Sequence, residues 1–552
     1  MPIAGTQNRI KRSCDAFIKT IEGIPPYILA AAIVIYLIAM EMITFYYAQP
    51  VGDVAEFLNN AYRVWYGEVP YKDFWLLFTP GEVVFPALIY KIIGVNADAL
   101  RFVMIFINCC TSIMAFYFGR DLFKKNWLAA IFALLYYYSS VIYHYTGASY
   151  IHFYYILMTV AVWMLTKFYA KGQIRYTAYA GAALAAAVFF RLYESGAGLA
   201  GMSLALLYFI IATKTNVLKA FGAFAGGFAV VLLIEFLPFA GIIPYVIREA
   251  VFESVKNGTS MNLPYFWDAT EMLKALGRDF SNEGIMSFLI MISHIVRFIA
   301  FTTYYILPFV TPILIIAFFK FEKDIPRRSI ALTFFLWGMI TLPKGLGRSD
   351  LTHMAPSAAP LIMFALYSGY VIAQSAYNDR FRQIYKWGAV ALVAGMFLTL
   401  SGPLFRIPDQ FRMPFTKIYA PYGSYASNKP MDVEGAKFAI ENVLKYTRER
   451  DYIFVTPWSA PALYAMTHRR NATYYDSMND PVIRPSAKTQ ERVIDALIAS
   501  KTKLIVHADW GYDEKPEQRF KNACRMIQSF IESNYTMVGK HGAYEIWLLK
   551  NS

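Results

Sequence analysis

Charge is what this sequence has least of. Only 16% of its 552 residues are Asp, Glu, Lys or Arg, where a soluble protein carries about 25%. Cysteine is nearly missing as well: Cys14, Cys109, Cys110 and Cys524 are the whole set. Four scattered thiols exclude a disulfide-stapled scaffold, so no structural disulfide is expected. The C-terminal part, from about residue 430, has no Walker loop, no GxGxxG and no paired CxxC. The fingerprints of phosphate-loop, dinucleotide and zinc-ribbon modules are therefore missing from it. No tight Asp/His cluster stands out, so neither a metal nor a cofactor is expected. The net charge of +14 does not call for nucleic acid, because in a membrane protein Lys and Arg gather in cytoplasmic loops.

What is there is apolar. Hydrophobic residues make up 57% of the chain and aromatics 17%. A membrane span needs about 20 mostly apolar residues. Runs of that kind fall near 27–47, 100–119, 127–146, 150–167, 176–190, 195–213, 220–240, 297–319, 329–343, 354–374 and 387–403. This is the pattern of a polytopic α-helical membrane protein of about eleven spans. The basic N-terminus has no small-residue cleavage site after its apolar run, so the first helix is expected to be retained. Basic clusters before the first span and after the second, fourth, sixth, eighth and tenth fall on one side if the N-terminus is cytoplasmic. That orientation places the loop 48–99, with Asp53, the loop 241–296 and the C-terminal part outside.

The expected organisation is a cytoplasmic tail 1–26, a membrane domain 27–403, a proline-marked linker 404–429 and an extracytoplasmic α/β domain 430–552. In the last, GAKFAIENVLKYT, SAPALYAMTHRR, KTQERVIDALIAS and QRFKNACRMIQSFIESN read as helices. DYIFVTP and KLIVHAD read as strands, and the end of the chain as a hairpin around Lys540–Gly542. The piece 82–94 is apolar but half a span long, with Glu82, Pro86 and Lys91 inside it. It reads as an interfacial or re-entrant helix.

Chemistry has to come from outward polar groups near the membrane. Asp53 is followed by Glu56, Asn60 and Arg63 at near-helical spacing. His144 and His152 flank a short turn among tyrosines. Arg191 and Glu194 lie between two apolar runs. Lys344, Arg348, Asp350 and His353 share LPKGLGRSDLTHMAP. Each has a plain structural reading. Asp53 suits a helix N-cap. Arg191 and Glu194, three apart, suit an ion pair that offsets the cost of charge at membrane depth. The histidines suit an aromatic belt, and Arg348 a loop charge reaching water.

The stretch from Gly52-Asp53 through NAYRVWYGEVPYKDFWLLFTPGEVVFPALIYKIIG resembles the first outer loop of the GT-C superfamily. Those enzymes are integral-membrane glycosyltransferases that use polyprenyl-phosphate-linked sugars, and they include protein mannosyltransferases and lipid A aminoarabinose transferases. GRSDLTHMAPSAAPLI resembles a late loop of bacterial members, and an α/β domain after the last span fits them too. The chain departs from many members by lacking a paired acid at Asp53 and by having Phe78-Thr79-Pro80-Gly81 where they carry Lys-Pro-Pro.

The resemblance implies an inverting transfer of a sugar from a polyprenyl-phosphate donor to an extracytoplasmic acceptor. The setting would be a bacterial inner membrane, with membrane lipid as a further partner. Asp53, Glu194 and Asp350 are then the candidate catalytic acids. Arg63, Tyr71, His144, His152, Arg191, Lys344, Arg348 and His353 are the candidate substrate-binding residues. The alternatives are a polymerase or ligase of lipid-linked glycans and, from another class, a secondary transporter, though no internal repeat supports the transporter.

Overall fold

The computed structural model describes residues 16, 19–45, 52–139, 151–253, 265–279, 285–347, 349–374, 416–427, 430–456, 460, 462–476, 478, 485–509 and 516–550. The membrane part is built from α1 (Pro26–Thr44), α2 (Asp53–Trp65), α3 (Gly81–Ile93), α4 (Ala97–Phe123), α5 (Asn126–Ser139), α6 (Ile151–Lys171), α7 (Arg175–Phe190), α8 (Leu192–Thr213), α9 (Val217–Phe236), α10 (Trp267–Asp279), α11 (Ile285–Phe321), α12 (Ile325–Gly347) and α13 (Leu351–Gln374). Among the described residues seven helices are long and apolar enough to cross a membrane, and Pro26–Met42 and Asn126–Tyr137 are shorter apolar ones. Each run expected as a span up to 354–374 carries a helix. The run 387–403 lies outside the described residues. The helix over the run expected at 195–213 starts at Leu192, and Arg191 is the single-residue break between it and the end of α7 at Phe190.

The helices pack around one aromatic-rich core that includes Phe118, Phe132, Tyr154, Phe209, Phe334, Trp337 and Tyr367. The approach of α8 to α12 is close enough that a Cβ on Gly201 would sit 2.8 Å from the Trp337 backbone nitrogen. Ends are set by side chains: Asn96 accepts from the Ala99 amide at 2.9 Å and opens α4, and Asn216 does the same for α9.

The C-terminal part is an α/β unit, as its alternation leads one to expect. Strands β3 (Tyr452–Val455), β4 (Arg470–Asn471), β5 (Leu504–His507), β6 (Tyr535–His541) and β7 (Tyr544–Leu549) form a mixed sheet in the order β4-β3-β5-β7-β6. The pairs β3–β4 and β3–β5 are parallel; β5–β7 and β6–β7 are antiparallel. Three expectations shift. The helix expected over SAPALYAMTHRR is only Leu463–Thr467, because His468 turns left-handed (φ 52) and the chain then pairs as β4. The helix expected over QRFKNACRMIQSFIESN is broken at Cys524, leaving Phe520–Ala523 and Arg525–Asn534. Inside the stretch expected as linker, β1 (Thr416–Ala420) and β2 (Gly423–Ser427) form an antiparallel hairpin.

One face of the sheet packs on Ala487–Ala499 and Arg525–Asn534, in a core of Phe454, Val493, Leu497, Ile505, Ile527 and Ile531. The other face shares its core with the loop after the first span. Phe57, Leu58 and Ala61 of α2 belong to the same cluster as Ala439, Ile440, Leu463 and Val506. Burying a side chain such as Phe57 or Leu58 is worth about 1.5–3 kcal/mol. Polar contacts fix the register of this seam. The Asn59 side chain accepts from the Ala465 amide at 3.2 Å and donates to Asp476 at 3.3 Å. The Trp75 amide donates to the Tyr474 carbonyl at 2.7 Å, and the Tyr474 hydroxyl to the Tyr71 carbonyl at 2.8 Å. His468 stacks on Tyr62 and on Tyr422. The domain and the loop carrying Asp53 are thus one packed body on one face of the membrane part.

Candidate active site

Asp53 is the first residue of α2, not its cap. Gly52 holds the cap position with φ 58, a backbone that glycine adopts without a steric penalty. The Glu56 amide bonds to the Gly52 carbonyl at 3.0 Å. The Asp53 carboxylate stands exposed at the positive end of the helix, where a negative charge is favoured. The amphipathic pattern that makes α2 a helix also buries its opposite face, so the acid sits on a fixed element.

The second carboxyl of the region is one that sequence reasoning passed over. Glu82 is 5% exposed, in the first turn of α3. Burial pushes its carboxyl well above the usual carboxylate range; Arg191 opposes this and the neighbouring Asp53 adds to it. The Pro80-Gly81 break puts Glu82 there. A Cβ on Gly81 would meet the Phe189 carbonyl oxygen at 2.5 Å, and the Thr79 hydroxyl donates to the Val188 carbonyl at 3.0 Å. The start of α3 is therefore pressed onto the end of α7, next to Arg191. A proline–glycine break followed by an acid, before an apolar helix, is the signal that could have found it.

Arg191 takes an extended conformation (φ −153, ψ 95) between α7 and α8. Its Nε lies 2.5 Å from Glu194 Oε1, and the Lys344 ammonium, arriving from α12, pairs with the same oxygen. Arg191 and Glu194 are buried and Lys344 is partly buried. The Arg191 guanidinium lies over the Phe78 ring at 5.6 Å, and Lys344 over Tyr193 at 5.8 Å. Two cations thus share one carboxylate where helices break, which concentrates positive charge able to hold an anion. The ion pair expected between Arg191 and Glu194 is there, and Lys344 joins it.

The other candidates are placed as follows. Arg63 is 2% exposed, paired with Glu68 and bonded to the Asp73 carbonyl at 3.2 Å. Tyr71 donates its hydroxyl to the Phe78 carbonyl, tying the turn together over Arg191. His152 is buried at the start of α6. Asp350 and His353 are brought to each other: Asp350 Oδ1 accepts from the His353 amide at 3.0 Å and lies 2.7 Å from its Nδ1, which starts α13. His144 and Arg348 lie outside the described residues. Among the described residues no three His, Cys, Asp or Glu side chains converge as a metal ligand set.

No protein-family model matches the chain, and no curated protein matches it in sequence. Solved structures do match. ArnT from Cupriavidus metallidurans bound to undecaprenyl phosphate aligns at 12% identity over 94% of this chain and 98% of that one, with a TM-score of 0.52. The apo state of the same protein aligns at 12% identity over the same shares, with a TM-score of 0.51. At that identity the likeness shows the fold alone: a polytopic helical membrane part followed by a C-terminal α/β unit, in the arrangement seen in ArnT.

Proposed function

We propose that this chain is an inverting membrane glycosyltransferase that moves a sugar from a polyprenyl-phosphate donor to an acceptor on the outer face of a bacterial inner membrane. One observation carries the reading. An exposed acid on a rigid helix start, Asp53, lies within electrostatic reach of Glu82, which abuts the positively charged group Arg191–Glu194–Lys344. An acid and an excess of cations meet at one face of the membrane part, in a fold shared with a protein crystallised with undecaprenyl phosphate.

In the proposed reaction the acceptor hydroxyl oxygen attacks the anomeric carbon. The bond from that carbon to the phosphate oxygen breaks, and the phosphate leaves with the electron pair. Asp53 takes the hydroxyl proton, a role worth typically about 10²–10⁴-fold. Arg191 and Lys344 face the developing phosphate charge, with Arg348 a further candidate. Glu194, held between two cations, orients them and is a poor candidate for the base. The N-terminus is cytoplasmic and the C-terminal domain extracytoplasmic in this reading, as the basic clusters ask.

The test is transfer from a polyprenyl-phosphate sugar by wild type and Asp53→Asn at equal folded protein. Because Gly52 supplies the cap, the substitution leaves α2 intact. The expected outcome is a loss of turnover of at least about 10²-fold with donor binding kept. Near-normal turnover would end the reading of Asp53 as the base.

A further inference from the structure

The three basic side chains at the far end of α4 and α6 do not take part in the site above. Ala97, which opens α4, bonds to the Tyr422 carbonyl of the C-terminal domain at 3.0 Å. The 27 residues of α4, at about 1.5 Å each, carry the chain across the membrane from there. At their end a cleft of about 430 Å³ opens, lined by Tyr117, Arg120, Asp121, Lys124, Trp163 and Lys167 among others. We propose that this cleft binds the phosphodiester headgroup of an anionic membrane lipid on the face opposite Asp53.

The cleft is built rather than incidental. The Trp163 indole donates to Asp121 at 2.7 Å, which fixes the ring as a wall. Lys167 lies 4.3 Å over that ring and 3.8 Å from Asp121. Lys124 is held in a left-handed turn (φ 55) by a bond from its amide to the Arg120 carbonyl at 3.0 Å. The following turn is pinned because the Asn126 amide group donates to the Glu22 and Ile24 carbonyls. Three cations against one carboxylate leave an excess of positive charge in a concavity. Loop lysines and arginines are expected on this face, but solvated ones have no reason to converge on a cleft with an ordered indole. A basic pocket between membrane helices beside an interfacial Trp is what an anionic headgroup recognises.

The full-length protein in neutral detergent is titrated with phosphatidylglycerol, phosphatidylcholine or inorganic phosphate at matched ionic strength, and its melting temperature is followed. Phosphatidylglycerol should stabilise the wild type, and the other two should not. Its apparent affinity should fall about fivefold for each cation removed, so about 25-fold in Lys124→Gln/Lys167→Gln. Lys320→Gln/Lys323→Gln, in another basic loop, should keep it. Unchanged affinity in the first double variant, or equal stabilisation by phosphatidylcholine, would overturn the proposal. The same shift with inorganic phosphate would show a free-anion site instead of a lipid site. A photoactivatable phosphatidylglycerol read on the wild type does not depend on any variant folding. Adducts should fall on residues 117–124 and 163–167, and adducts confined elsewhere would reject the site.

Discussion

Two charge groups lie on either side of the turn 71–78, and they are built differently. In the membrane part Arg191 and Lys344 share Glu194, while Glu82 beside them is pushed by burial towards its neutral form. Charge there is in excess. At the seam with the C-terminal domain Arg63 is matched by Glu68, and burial also pushes Asp476 up, with Arg63 opposing. One guanidinium there meets two carboxyls, so no cation is left over, and its hydrogen bonds run between two parts of the chain: Asp476 accepts from Asn59 and Asn471. The first group sits at a helix break and at helix starts, beside an exposed acid. The second sits under a packed core. A buried ion pair by itself says little about stability or function. What separates the two is whether a cation is left over, and whether the backbone there is open or stitched.

The comparison breaks most visibly at Glu194. Glu194→Gln leaves Arg191 and Lys344 against each other with no carboxylate between them. Breaking a buried pair costs about 3–5 kcal/mol, and this change leaves two cations unmatched. The melting temperature should fall sharply, and polyprenyl phosphate should restore part of it by taking the carboxylate's place. Glu68→Gln should cost less, because its side chain is 21% exposed and it serves one guanidinium. Equal losses in the two variants would erase the distinction drawn between the groups.

A smaller effect sharpens the same point through pH. The unfolded Glu82 carboxyl gives up its proton near its ordinary value, 4.5, while the folded one holds it to a higher pH. Above about pH 4.5 the folded chain therefore binds more protons than the unfolded chain, and stability falls as pH rises. Glu82→Gln cannot lose a proton. Its melting temperature minus that of the wild type should be near zero at pH 4.5 and grow towards alkaline pH. Asp476→Asn should show the same sign with a smaller total change, since its carboxyl is raised less. A flat difference for Glu82→Gln would mean that the carboxyl is ionised in the fold.

The sequence shows much of this architecture and little of the way its parts meet. Span length marked the membrane helices, and the near-helical spacing of Asp53, Glu56, Asn60 and Arg63 marked α2. Arg191 and Glu194 stood out as one cluster and Lys344 as another, but Glu194 and Lys344 are 150 residues apart. Only the close packing of α8 on α12 at Gly201 brings them together. Glu82 read as an interruption in an apolar helix, because its burial is decided by the seating of Thr79 and Gly81 on α7. The apolar face of α2 has no partner near it in the sequence. Its partner is the sheet of a domain some four hundred residues on, and local periodicity carries no information about that.

The smallest expected effect tests that last contact. Asn59→Ala removes both bonds that Asn59 makes across the seam. The Ala465 amide and the Asp476 carboxyl each lose a buried partner, at about 1–3 kcal/mol for a group left unsatisfied. The apolar cluster of Phe57, Leu58, Ile440 and Leu463 stays, so the fold should hold. Hydrogen exchange over residues 463–476 should quicken, with the membrane helices unaffected. Turnover should fall with it, because Asn59 and Asp53 sit on one helix and a loosened α2 no longer fixes its first residue. Asp476→Asn keeps one acceptor oxygen for either the Asn59 or the Asn471 side chain but not for both, so it should quicken exchange less than Asn59→Ala does. Unaltered exchange in Asn59→Ala would show that apolar packing alone holds the domain against α2. The charge group at the seam would then be a consequence of that packing and not its cause.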